Sequence, residues 1–455
     1  MMRRIITPTK MPARLLEVFR GNGAFFGRVS GDVMRISGAI GLAQILAFAA
    51  APLLTRLYGP EAFGHFAVLG ALVNILLPLI SLRYNWALPL PRDDVTAREI
   101  LALCLVVTAA SSAVVAALGM AAQQALAGWI AVTMTDIWLL TAALLITGLH
   151  EVMTGWLVRH QMFQQVAGVR FITLLGVVAG QIGFGAINPD ASSLLMGLIG
   201  GYLLGFIRAA YQCRDALQES VRGIELGRLC RAALEYRRFP LLTTPSSIVS
   251  GISSQVPNLV LPSLYGMGMT GQWSLAQRVL WQPTAFIGQA VSQVFWGNAA
   301  RLQWENPKRL WLLFVFFNAG LLAVMVPAVV VLWLPGDLFV WIFGPNWGQA
   351  GQFAAIIVLS SFVGLAAHGT ESLHVYGLNH WMPGWETFRL VLVGGGLGLA
   401  WWLDLSAMGC VAALSLANIV ADSSLLALNA VAIRRIRARA GRSDTGRMPV
   451  ANPTR

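Results

Sequence analysis

Charged residues are scarce in this chain. They make up 11% of 455 residues, under half the roughly 25% of an ordinary globular protein. So little charge cannot cover a soluble surface of this size. Cysteine is also sparse: four are scattered, with no CxxC pair, which points to isolated thiols rather than a metal or redox centre. There is no GxxxxGK[ST] phosphate loop, no HExxH and no polar stretch long enough for a large extramembrane domain. These absences leave no visible catalytic constellation, no cofactor requirement and no ATP hydrolysis by this chain.

Apolar residues take the place of charge: 56% of the chain is hydrophobic and the mean hydropathy is +0.66. They fall in runs of about 20, the length that spans ~30 Å of hydrocarbon. Twelve segments follow: 33–55, 64–88, 100–120, 133–157, 168–187, 192–210, 240–262, 271–298, 309–334, 349–373, 384–402 and 406–433. The fold class is therefore an all-α polytopic membrane protein of about twelve transmembrane helices. Its division is a basic N-terminus (1–32), a six-helix lobe (33–211), a linker (212–238), a second six-helix lobe (239–433) and a basic tail (434–455) expected to be disordered. The small-residue string at 47–52 resembles a signal-peptidase site, but the long basic region before it favours an uncleaved first helix.

The net charge of +12 is distributed as membrane orientation requires, not as nucleic-acid binding would. The loops after segments 2, 4, 6 and 8 hold Arg92, Arg98, Arg159, the linker arginines, Arg301, Lys308 and Arg309. The opposite loops hold Arg56 alone. Both termini and the linker are thus expected in the cytoplasm. The linker mixes charge with helically spaced leucines, which fits an amphipathic interfacial helix or a solvated connection.

A repeat organises the chain. Leu57-Tyr58-Gly59 returns 207 residues later as Leu264-Tyr265-Gly266, and the same offset aligns Gly64 with Gly271 and Phe66 with Trp273. A fainter echo is Ile342-Phe343-Gly344-Pro345-Asn346-Trp347-Gly348. One six-helix unit separates the two copies, and six is even. The lobes should therefore share one orientation about an axis along the membrane normal and be able to rock about a central cavity. The turn is expected to shape the outer end of each lobe.

Candidate cavity residues are polar groups inside spans. Arg278 is foremost, about 10 Å deep in segment 8 at 1.5 Å per residue. Placing it in a span costs about 3 kcal/mol, so it must face water, substrate or a structural partner. Ser274, Gln282, Gln289, Ser292 and Gln293 lie within about 60° of the same helical line. Segment 2 offers Asn74, Ser81 and Asn85, with Arg83 near its inner end. Segment 12 offers Ser415, Asn418, Asp422 and Asn429. Such stripes line a hydrophilic lumen or bond neighbouring helices. Arg56, His150, Glu151, His368, Glu371, Glu386 and Arg389 are further ionisable candidates. Trp273, Trp281 and Trp296 could stack on sugar rings.

At 55–68 (TRLYGPEAFGHFAV), 81–91 (SLRYNWALPLP), 274–283 (SLAQRVLWQP), 287–295 (IGQAVSQVF) and 342–351 (IFGPNWGQAG) the sequence resembles the bacterial polysaccharide-biosynthesis flippases. These belong to a superfamily shared with multidrug-and-toxin exporters and lipid II flippases. The resemblance implies two lobes forming a V and transport of a polyprenyl-pyrophosphate-linked oligosaccharide, such as an O-antigen or exopolysaccharide unit, across the inner membrane. It makes the lipid-linked oligosaccharide and membrane lipids the expected partners, beside a polysaccharide polymerase and chain-length machinery. Arg278 would then meet pyrophosphate or sugar acids. Segments 1 and 7 lack the Asp or Glu that multidrug relatives often carry. The two extra helices and dense cavity arginines of lipid II flippases are also missing. The alternatives are a drug or amphiphile exporter and, from another class, a membrane-embedded polymerase or ligase.

Overall fold

The computed structural model describes residues 48–130, 132–222, 225–333 and 337–443. The basic N-terminus, the first part of segment 1 and residues 444–455 of the tail lie outside them. The described residues are helical and contain no strand. α1 is Phe48–Leu57. Next come α2 (Pro60–Ile80), α3 (Asp94–Ala121), the short α4 (Gln123–Ile130), α5 (Met134–Arg159), α6 (Phe163–Ile187) and α7 (Ala191–Gln212). The linker forms α8 (Arg214–Arg222) and α9 (Leu226–Glu235). The second half holds α10 (Thr244–Glu305), α11 (Pro307–Trp333), α12 (Asp337–Phe343), α13 (Gly348–Gly369), α14 (Met382–Trp402) and α15 (Ala407–Ser443). Among the described residues seven helices are long and apolar enough to cross a membrane unaided. α1, the two limbs of α10, α11 and α14 stand at the other five expected segments. The chain is an all-α polytopic membrane protein.

Several boundaries depart from expectation for local reasons. The second segment stops at Ile80, two residues past Pro78, rather than running to 88. Leu82 and Arg83 then take left-handed φ of 46° and 57°, and residues 84–87 form a 3-10 turn. Arg159 holds this turn in place. Its guanidinium donates to the carbonyls of Leu88 (3.0 Å), Pro91 (2.8 Å) and Asp93 (3.1 Å) and pairs with Asp94. The third helix begins at Asp94, not 100, because the Asp93 carboxylate accepts from the Thr96 N–H at 2.8 Å and caps it. The last helix runs to Ser443. It thereby takes up arginines assigned to a disordered tail, and Arg434 and Arg435 lie over Trp311 and Trp381, each at 5.0 Å.

Segments 7 and 8 are two helices, the two limbs of α10, that meet at a kink at Gly266, where φ is 83° and ψ 168°. Side chains are essentially excluded from that conformation. Its counterpart Gly59 has an ordinary φ of −77°. An added Cβ meets nothing within 4 Å at either, so backbone strain alone separates them. Gly266→Ala is expected to cost about 1–3 kcal/mol and lower the Tm in detergent. Gly59→Ala should leave it nearly unchanged.

The two copies of the repeat meet. An added Cβ on Gly64 would strike the Met267 carbonyl oxygen, and one on Gly271 would strike the Pro60 carbonyl oxygen. Each would also stand 3.0 Å from the other glycine's N. Pro60 and Met267 are themselves 207 residues apart, so the contact is its own image under the repeat. The pseudo-twofold axis passes between the glycines, where α2 and the second limb of α10 touch backbone to backbone, as small residues allow in membranes. Around this point Leu54, Tyr58 and Phe63 share one buried cluster with Trp273, Phe343 and Trp347. Trp347, from the third echo, is fully buried. It packs edge-on to Phe63 at 5.1 Å and donates to the Thr55 carbonyl at 2.8 Å. All three echoes thus converge on one plug at one end of the bundle, the turn end.

Equivalent residues do equivalent work in the two lobes. Tyr58 donates to the Gln181 carbonyl on α6 at 2.6 Å, and Tyr265 to the Leu405 carbonyl just after α14 at 2.8 Å. His65 reaches Asp136 at the start of α5 at 3.2 Å. Its counterpart Gln272 bonds the Asn346 carbonyl (2.6 Å) and the Ala350 N–H (2.8 Å) at the start of α13. His65→Gln should therefore keep the tether and most of the thermal stability. His65→Ala leaves the buried Asp136 carboxylate to Thr133 alone. It should destabilise by about 1–3 kcal/mol, read as a lower Tm for the alanine variant only.

Candidate site between the lobes

The face of α10 that touches the other lobe at Gly271 continues toward its C-terminus as the polar stripe. At 100° per residue, Ser274, Arg278, Gln282, Gln289 and Gln293 all lie within about 60° of Gly271. Burial falls along this line: Gly271 is buried, Arg278 and Gln282 are half-buried, and Gln289 and Gln293 are exposed. The opposite side, with Ala276, Leu280 and Thr284, is buried. Arg278 therefore lies on the helix face that carries the glycine contact, about 10 Å further along the helix at 1.5 Å per residue. Among the described residues no carboxylate bears on its guanidinium. A half-buried guanidinium flanked by side-chain amides presents several hydrogen-bond donors and no acceptor of its own.

The other sequence candidates divide into three sets. Asn74 is exposed on α2 and donates to its own helix, to the Gly70 carbonyl at 2.8 Å. Arg83 and Asn85 are not on the α2 face at all, because the helix ends before them. They belong to a cluster at the opposite, linker end. Asn85 bonds Ser81 (3.1 Å) and Glu151 (3.3 Å), and Arg83 lies over Trp86 at 4.7 Å. Arg83 also donates to Ser247 of α10 at 3.1 Å, joining one lobe to the other. Ser250, one turn on, donates to Glu386 of α14 at 3.0 Å. The serine-rich run 246–254 carried that signal, but serine alone does not say which partner it will meet.

The third set, on α15, is engaged in helix packing. Ser415 donates to the Ile356 carbonyl at 3.1 Å, and Asn429 accepts from the Ser372 N–H at 3.1 Å. Asp422 is buried, with His368 at 3.5 Å and its carboxylate seated against Gly364. Asn418 donates to its own helix at Leu414, 2.9 Å away. Ser415, Asp422 and Asn429 thus reach neighbouring helices, whereas Asn418 bonds only within its own. Arg56 donates to the Trp341 carbonyl at 3.3 Å and so belongs to the plug. Trp281 is exposed, whereas Trp273 is buried beside the glycine contact. Among the described residues no group of three or more His, Cys, Asp or Glu could hold a metal ion.

The family profile described as "Polysaccharide biosynthesis protein" matches residues 53–351, from the first turn through the third echo. The chain belongs to that family. A search of curated proteins returned no match. Among solved structures, this member of the family is similar to the lipid II flippase MurJ in an inward closed conformation. The identity is 15% over 88% of this chain and 89% of that one, with a TM-score of 0.66. It is also similar to a multidrug-resistance MATE transporter of the MOP superfamily. The inward-facing form gives 14% identity, 88% and 96% coverage and a TM-score of 0.59; the outward-facing form gives 15%, 90% and 96%, and 0.53. At these identities the likeness establishes the fold alone, an all-α polytopic membrane bundle.

Proposed function

We propose that this protein is a flippase that carries a polyprenyl-pyrophosphate-linked oligosaccharide across the bacterial inner membrane. The observation that carries the reading is Arg278: a guanidinium with no carboxylate partner among the described residues, on the helix face that leads away from the Gly64–Gly271 contact. A planar fork of donors matches phosphate oxygens, whereas a cationic drug would be repelled. Membership of a polysaccharide-biosynthesis family supplies the sugar, and the fold supplies two lobes able to rock. The lipid tail stays in the bilayer while the headgroup occupies the inter-lobe space. No bond in the substrate is made or broken. Both termini and the linker face the cytoplasm, so the turn end is the outer end, and the structure corresponds to an outwardly closed state.

A strain lacking the gene tests this directly. Polyprenyl-linked repeat units should accumulate on the cytoplasmic face, measured by mass spectrometry of extracted lipids, and the wild-type gene should clear them. Normal surface polysaccharide in that strain would refute the assignment.

A further inference from the structure

The linker docks on the first lobe by one face and leaves another bare. α9 buries Leu229 and Ala232 in the cluster around Ile100 and Leu101 of α3. The Tyr84 hydroxyl donates to the Ala233 carbonyl at 3.1 Å. Arg98 pairs with Glu219, and Arg228 with Glu99 and Glu225. These contacts fix the rotation of α9. Leu226, Cys230 and Leu234 follow one another at i, i+4 and i+8, so they share a face. All three are exposed, the leucines by 76% and 66%. The chain then turns into α10 through Leu241 and Leu242, which are 66% and 65% exposed. Four bare leucines beside two membrane-spanning helix ends are unlike a water-facing surface.

The charge on this stretch is one-sided. Residues 226–242 contain four arginines and one glutamate, a net charge of +3. Arg228 is paired, while Arg231, Arg237 and Arg238 are exposed. α7 ends at Gln212 and α10 begins at Thr244, so connectivity holds the stretch at the membrane boundary. Exposed leucine next to unpaired arginine is the pattern of a helix lying in an anionic interface. We propose that α9 and the turn after it form a docking surface for anionic lipid headgroups. The leucines sink into the acyl boundary, and Arg231, Arg237 and Arg238 take the phosphates. Because the surface is fixed to the first lobe and leads directly into α10, bound lipid sets where the second lobe's first limb enters the bilayer.

Cys230 lies in the middle of the leucine stripe and supplies the probe. Cys104, Cys213 and Cys410 are buried, and burial pushes the Cys213 thiol up to about 11. An environment-sensitive fluorophore should therefore attach selectively at Cys230 of the full chain. The labelled protein is reconstituted in phosphatidylcholine vesicles with a rising share of phosphatidylglycerol. The expected result is a blue shift and quenching by brominated acyl chains that grow with phosphatidylglycerol and recede at high salt. R231Q/R237Q/R238Q should weaken the response about fivefold per arginine, roughly 100-fold together. The triple lysine variant should behave as wild type, and Glu235→Gln should strengthen it. The salt arm uses wild-type protein, so misfolding of a variant leaves the test intact. The proposal is overturned if the probe stays open to aqueous iodide in every vesicle. It is equally overturned if the shift ignores both phosphatidylglycerol and the arginines, or if inorganic pyrophosphate reverses it, which would mark a soluble-phosphate site.

Discussion

Gly271→Leu is expected to hold the turn end apart and abolish transport. The glycine Cα lies against the Pro60 carbonyl with no room for a Cβ. No rotamer relieves the clash, because the obstacle is backbone. The two helices must separate, losing the close contact and disturbing the Phe63–Trp347 plug beside it. Overpacking costs about 1–3 kcal/mol, and here the cost falls on the closed arrangement alone. A bias of about 2–3 kcal/mol moves a two-state equilibrium by roughly 30- to 150-fold. The symmetry of the contact predicts that Gly64→Leu does the same, with alanine at either position giving a smaller effect. The measurement is thiol accessibility. With Cys230 replaced by serine, a cysteine at Ser274 should react with a membrane-impermeant reagent from outside far faster in the leucine variants. Unchanged reactivity and normal transport would show that the glycine contact is not a closure.

Arg278→Ala should separate function from stability. Charge-assisted hydrogen bonds to an anion are worth about 1.5–3 kcal/mol, so substrate affinity and complementation should fall about 10- to 150-fold. Lysine should recover part of this, since it keeps the charge but loses the fork. Stability should move the other way or not at all. A half-buried cation with no carboxylate partner among the described residues is a cost to the empty fold, so its removal should leave Tm unchanged or raise it. A structural ion pair predicts the opposite sign, because breaking one exposes an unpaired buried charge at about 3–5 kcal/mol. A variant that transports normally, or one that unfolds, would each remove Arg278 from the proposed site.

Much of the architecture was legible in the chain because bilayer physics is local. A span must satisfy its own backbone and be about 20 residues long, so the spans read directly from hydropathy. The missed ends lie where a distant group competes with the helix. Arg159 gathers the carbonyls of 88–93, and no pattern within 81–91 announces it. The stripe on α15 left its partners open for a related reason. Polar periodicity says that a face is wet or bonded, but the choice belongs to whichever helix packs there; α13 does so through Ile356, Gly364 and His368.

By itself the sequence determined the class, the duplication and the polar line through Arg278, because each depends on residue type at a fixed spacing along one helix. It aligned Gly64 with Gly271 as equivalent positions in two copies. Only the tertiary structure decided that these two glycines touch each other, with the third echo capping them. An axis of symmetry leaves no mark on a linear chain: equivalence is a relation between residues in sequence, whereas contact on the axis is a property of how two lobes pack.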